Sequence, residues 1–278
     1  ALIQLEKPDT ARSVLKQGQA KGLKGDVVDQ LASQLKLSQE KIDSVIALYS
    51  SGHIEESLNL IDALLKDYPN EARLYNLRGS CDKALGQLDK AVKSYEQALI
   101  INPNFAEAHS NLGNTLKALG QLDAAVKRYE KALVIKPNYA DAHYNLGNTL
   151  KALGQLDAAV QSYEKALEVK PNYVSAHTNL GVTLNELDQL DAAIKCYEQA
   201  LEIRPNCVDA HNNLGSTLYD LGQLEAAVER YEKVLEIKPN YVSAYTNLGV
   251  SLKDLGQLGL AIKRFEQALA IKPDDADS

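Results

Sequence analysis

Methionine and tryptophan are absent from this chain of 278 residues, phenylalanine occurs twice and cysteine three times. Cys81, Cys196 and Cys207 form neither an even set nor a CxxC pair, which excludes a disulfide framework and a cysteine zinc site, and fits a reducing, cytoplasmic setting. Apolar stretches are interrupted every few residues by Lys, Glu, Asn or Gln, so none reaches the ~20 apolar residues that a membrane-spanning helix needs. Positive charge is in deficit: 30 basic residues against 37 acidic ones leave a formal net charge of −7, a sign that repels nucleic acid. No basic and apolar secretion signal opens at Ala1. The missing methionine, with Ala276-Asp277-Ser278 resembling Ala140-Asp141-Ala142, reads as a piece cut from a longer repeat protein.

Catalytic signals are also missing. No nucleophile, base and orienting acid recur together, no strand pattern is evident, and the isolated Gly-Gln-Leu turns lack the neighbouring glycines of a phosphate loop. Neither enzymatic chemistry nor a cofactor is expected. His109, His143, His177 and His211 invite a metal reading, but they recur once per period. Neighbouring helices stand ~10 Å apart, whereas metal ligands converge within ~2.1 Å of one ion, so these are expected to be packing histidines. Tyr75 and Tyr245 occupy the same slot.

What is present is a period. Prolines stand at Pro69, Pro103, Pro137, Pro171, Pro205, Pro239 and Pro273, each 34 residues after the last. Two glycine series are locked to them: one runs from Gly79 to Gly249, the other from Gly52 to Gly256 with Asp188 replacing one member. Counting Ala106 as position 1, apolar residues recur at helical spacing on both sides of Leu119-Gly120-Gln121-Leu122. Each unit is therefore two helices, broken at a glycine that tolerates positive φ and closed by a proline that cannot donate the next backbone hydrogen bond.

His109, Leu112, Gly113, Leu116, Ala125, Tyr129, Ala132 and Pro137 carry a resemblance to the tetratricopeptide repeat. The resemblance implies an all-α, right-handed superhelical solenoid of antiparallel helix pairs. Six clear repeats span 72–275, a degenerate one spans 38–71, a helical cap is expected over 1–37, and 276–278 begin a further repeat. Departures are local: Arg78 replaces a leucine and Val234 an alanine, while the degenerate repeat carries Ser57, Ile61 and Leu64 at the Ala and aromatic positions. Mid-helix Gly113 costs ~1 kcal/mol relative to Ala, which calls for a close-packing reason, and Tyr129 and its equivalents are expected to fill space between adjacent repeats.

Positions 2, 5, 6, 9, 12 and 13 of the first helix share one stripe, opposite the packing face. By resemblance this stripe lines the concave surface, and position 6 is asparagine five times running: Asn111, Asn145, Asn179, Asn213 and Asn247. A side-chain amide offers one acceptor and two donors, so such a ladder can bond the backbone of an extended peptide whatever its side chains. It resembles the ladder in the repeat arm of O-linked N-acetylglucosamine transferases; Leu77 ends it. The competing reading is that these amides satisfy helix backbone or water.

Asn114, Asn148 and Tyr144 lie on the same stripe, with Lys117 and Lys151 at position 12 in the early repeats and Tyr219 with Asp220 in a later one. Lys117 and Lys151 are expected to meet acidic ligand groups, and Asp220 basic ones. Position 5 holds no lysine, so the family's carboxylate clamp for a chaperone's acidic tail is not expected. The reading is a scaffold for a partner protein or extended peptide. The alternatives are a substrate-positioning arm of a larger bacterial transferase, by analogy of fold, and self-association through terminal repeats.

Overall fold

The computed structural model describes residues 37–272 continuously, with Leu15, Gln17, Gly18, Gly22 and Gly25 before them. The bulk of the expected cap at 1–37, and the expected opening repeat at 276–278, lie outside the described residues. The chain divides into two compact units, residues 1–136 and 137–278.

The first unit contains α1 (Gln39–Ser50), α2 (Ile54–Asp67), α3 (Ala72–Ala84), α4 (Leu88–Ile101), α5 (Ala106–Ala118) and α6 (Leu122–Ile135). The second contains α7 (Ala140–Ala152), α8 (Leu156–Val169), α9 (Val174–Glu186), α10 (Leu190–Ile203), α11 (Val208–Asp220), α12 (Leu224–Ile237), α13 (Val242–Asp254) and α14 (Leu258–Ile271). Among the described residues every regular element is a helix. Within each unit the two helices of a hairpin pack together, and the second helix of one hairpin packs on the first of the next. This is the all-α solenoid plan of stacked hairpins.

Backbone chemistry places the breaks. Gly120 adopts φ 75°, its N–H reaches Lys117 O, and the N–H of Gln121 reaches Leu116 O at 2.9 Å, a closing pair that satisfies the last carbonyls of α5. The second helix stops at Ile135, ahead of Lys136 in a non-helical conformation before Pro137.

The mid-helix glycine has its packing reason inside its own hairpin, while the same tyrosine also reaches the next one, as Tyr197 does toward Thr217. Tyr95, Tyr129 and Tyr163 are buried against the glycine of their own hairpin: a β-carbon added at Gly113 would lie 2.8 Å from Tyr129 Cε1. In the degenerate hairpin α1–α2, Ser57 and Ile61 are fully buried instead. The Ser57 hydroxyl donates to Val45 O at 3.1 Å and accepts from Cys81 Sγ, so burial leaves it satisfied.

Candidate peptide-binding stripe

In the second unit the ladder residues Asn145, Asn179, Asn213 and Asn247 are all partly exposed on the first helices of their hairpins. They are not equivalent. Asn179 Nδ2 donates to Tyr144 Oη at 3.1 Å and to Asn148 Oδ1 at 2.7 Å, both in the preceding hairpin. Both amide hydrogens are thereby used, leaving its carbonyl oxygen for a ligand. Asn148 Oδ1 also accepts from Tyr163 Oη at 2.8 Å. Asn213 has only a long contact of 3.5 Å from its neighbour Asn212, which is too weak to occupy it.

Two further pairs obey the same register. Lys151 Nζ lies 3.0 Å from Glu186 Oε1, and Tyr219 Oη donates to Asp254 Oδ2 at 2.5 Å, each partner standing 35 residues on. Lys151, expected to meet acidic ligand groups, thus has a carboxylate partner supplied by the next hairpin. The hydrogen bond from Tyr219 lowers the Asp254 pKa and raises that of Tyr219. Asp220 is exposed. Tyr144 stacks at a tilt with Tyr173, ring centroids 4.8 Å apart, and lies 6.0 Å from Tyr163, so its ring is fixed by aromatic neighbours. The stripe is not uniformly open, since Thr178 at position 5 is buried and donates to Val174 O.

In the first unit Asn111 Nδ2 donates to Asn76 Oδ1 at 3.1 Å, again across 35 residues, and Asn114 Oδ1 accepts from Tyr129 Oη at 2.7 Å. Ser110, on the same stripe, is buried. Lys117 and Lys83 are half-buried, and loss of water pulls both ammonium pKa values down. The register explains their lack of a carboxylate: 35 residues beyond Lys83 stands Ala118, and 35 beyond Lys117 stands Ala152 in sequence.

These hairpins match family models described as TPR repeat over residues 82–120, 113–154, 183–222 and 215–256, and as tetratricopeptide repeat over 140–173, 162–195 and 242–275. The chain belongs to the tetratricopeptide repeat family. No curated protein matches it. Among solved structures, MamA is 28% identical with a TM-score of 0.57, covering 60% of this chain and 98% of its own. YrrB, described as a TPR protein with an unusual peptide-binding site, is 26% identical with a TM-score of 0.58, covering 67% of this chain and 96% of its own. The C-terminal part of a TPR protein from Cytophaga hutchinsonii is 18% identical with a TM-score of 0.68, covering 84% of this chain and 96% of its own, a likeness of fold alone.

Two relationships in this tetratricopeptide repeat array escaped the sequence reading. In four hairpins the position-9 residue is the hydrogen-bond partner of that hairpin's tyrosine: Ser80 for Tyr95, Asn114 for Tyr129, Asn148 for Tyr163 and Ser216 for Tyr231. The sequence alone did not reveal this as a rule, because valine stands at position 9 beside Tyr197 as well as beside Phe265. The histidines also do more than pack: Nε2 of His109, His143, His177 and His211 lies 2.9–3.0 Å from the carbonyl of the proline six residues earlier. Only an Nε2–H can be shared with a carbonyl, so Nε2 carries a proton, and Nδ1 of His109, His177 and His211 is buried without a hydrogen-bond partner.

Proposed function

We propose that this tetratricopeptide repeat array is a non-catalytic scaffold that holds an extended polypeptide along the amide stripe. The observation that carries the reading is the state of Asn213 and Asn247. Both are partly exposed, and neither makes a strong hydrogen bond among the described residues, although another ladder amide on the same stripe, Asn179, is engaged. An amide turned toward water keeps donor and acceptor for a guest backbone, whereas Asn111 and Asn179 set the spacing between hairpins and contribute fewer groups to the guest.

Charge refines the ligand. On the stripe of the first unit, Lys117 and Lys83 have no carboxylate partner among the described residues, so acidic side chains of the guest belong there; Lys151 is already paired with Glu186. Asp220 and Tyr219 supply an acidic, hydrogen-bonding stretch suited to basic or hydroxyl side chains. Asn114 and Asn148 retain amide hydrogens for the ligand while their oxygens hold Tyr129 and Tyr163. The peptide-binding site named for YrrB supports this assignment as analogy between relatives.

Arrays of defined peptides test backbone reading. A peptide that binds is expected to keep most of its affinity when its uncharged side chains are scrambled, and to lose it when alternate backbone amides are N-methylated. Binding that survives N-methylation but vanishes on scrambling would refute the proposal.

A further inference from the structure

The hairpin α3–α4 breaks the repeat pattern at places that meet in space. Arg78 and Asp82 stand where the later hairpins have leucine, as at Leu112 and Leu116, and Lys90 stands where the next has Ala124. All three, with Tyr75, Lys93 and Ser94, line one cavity of about 250 Å³. At 100° per residue, positions 4, 7 and 11 of α3 face away from the amide stripe, so the cavity is separate from the peptide site.

Its floor is a buried carboxylate. Asp82 is 4% exposed, and its Oδ2 accepts from Ser94 Oγ at 3.0 Å. Replacing a core leucine with a buried carboxylate is costly unless that charge is compensated. Compensation is available nearby from the exposed cations Lys90 and Lys93, whereas Arg78 is already paired, its Nη1 lying 3.3 Å from Asp62 Oδ1 in α2. Two unpaired lysines, an arginine paired to Asp62 and one carboxylate therefore line the cavity, leaving an excess of one positive charge to attract an anion.

A fully ionised anion would meet repulsion from Asp82. An oxyanion that keeps a hydroxyl satisfies both sets of groups, its negative oxygens toward Arg78, Lys90 and Lys93 and its O–H donated to Asp82. We infer that this cavity binds a hydrogen-bearing oxyanion of the phosphate class. Inorganic phosphate carries such a hydroxyl at neutral pH and sulfate does not, and the cavity is below the ~300 Å³ at which drug-sized pockets begin, in keeping with a small ion.

Calorimetric titration of the whole chain with inorganic phosphate, and separately with sulfate at matched ionic strength, tests the inference. Phosphate is expected to bind about tenfold or more tightly than sulfate, because only phosphate can turn a donating hydroxyl rather than a bare negative oxygen toward Asp82. Asp82→Asn removes that repulsion and is expected to bring the two anions within about threefold of each other. The double variant Arg78→Leu, Asp82→Leu restores the repeat pattern and is expected to fold and to bind neither. Equal affinity of the unaltered chain for both anions, absence of phosphate binding, or phosphate binding retained by the folded double variant would each overturn it.

Discussion

A β-carbon placed on Gly147 would stand 2.7 Å from Cε1 of Tyr163, closer than such atoms pack. The tyrosine ring is fully buried and its hydroxyl is held by Asn148, so it cannot swing away without losing that bond. Overpacking costs ~1–3 kcal/mol, against the ~1 kcal/mol that alanine gains over glycine in a helix. Gly147→Ala is therefore expected to lower stability by about 1–2 kcal/mol in urea unfolding. The control is Gly259 in α14, where an added β-carbon meets nothing within 4 Å, and Gly259→Ala is expected to stabilise by about 0.5–1 kcal/mol.

Asp188 replaces the recurrent turn glycine and adopts φ 59° between α9 and α10. Left-handed backbone costs an L-residue ~1–2 kcal/mol, least for Asn and Asp. Asp188→Gly should raise the unfolding midpoint by an amount worth about 0.5–1 kcal/mol, and Asp188→Val should lower it by at least as much. A valine variant as stable as the parent would show that this turn carries no strain.

Acid should weaken the fold through the histidines. Burial lowers the pKa of His109, His143 and His211, and Arg128 and Lys131 near His109 act in the same direction. Because the folded pKa lies below the unfolded value of ~6.5, the unfolded chain takes up protons first as pH falls. Their contribution is complete above pH ~6.5 and is lost as pH drops through the folded pKa values. Thermal melts are expected to be flat from neutral pH upward and to decline below it. The slope should diminish in His109→Tyr, which installs the residue that Tyr75 and Tyr245 provide in the same slot.

The sequence made the hairpins legible because proline and glycine at a 34-residue period act locally. Gly120 needs positive φ whatever surrounds it, and Pro137 ends a helix by its own chemistry. The stripe was legible as a set of positions but not as a set of bonds. Whether Asn179 offers its amide hydrogens to a guest depends on Tyr144 and Asn148 in the hairpin before it, 35 and 31 residues away, which helical periodicity does not reveal. The pairing of Lys151 escaped for the same reason: Glu186 is remote in sequence and adjacent in space. Arg78 was visible as a departure, but its convergence with Asp82 and Lys90 required the packed hairpin.

The pair Lys151–Glu186 is partly exposed, at 28% and 45% of the two side chains, so its net worth is at most ~1 kcal/mol. Glu186→Ala should change stability by less than about 1 kcal/mol while releasing a cation on the stripe. Binding of an acidic peptide should then strengthen and become more sensitive to salt, as fluorescence anisotropy at two ionic strengths would show. Unchanged binding would place the peptide away from Lys151.

The most direct test compares peptide affinity and unfolding free energy in Asn213→Ala, Asn247→Ala and in Asn179→Ala. The double variant is expected to lose about tenfold or more in affinity for an extended peptide while keeping stability within about 0.5 kcal/mol, since those amides make no strong internal bond. Asn179→Ala is expected to lose about 1 kcal/mol of stability, having broken the bonds to Tyr144 and Asn148. Full peptide affinity in the folded double variant would contradict the central claim that these amides grip a guest backbone.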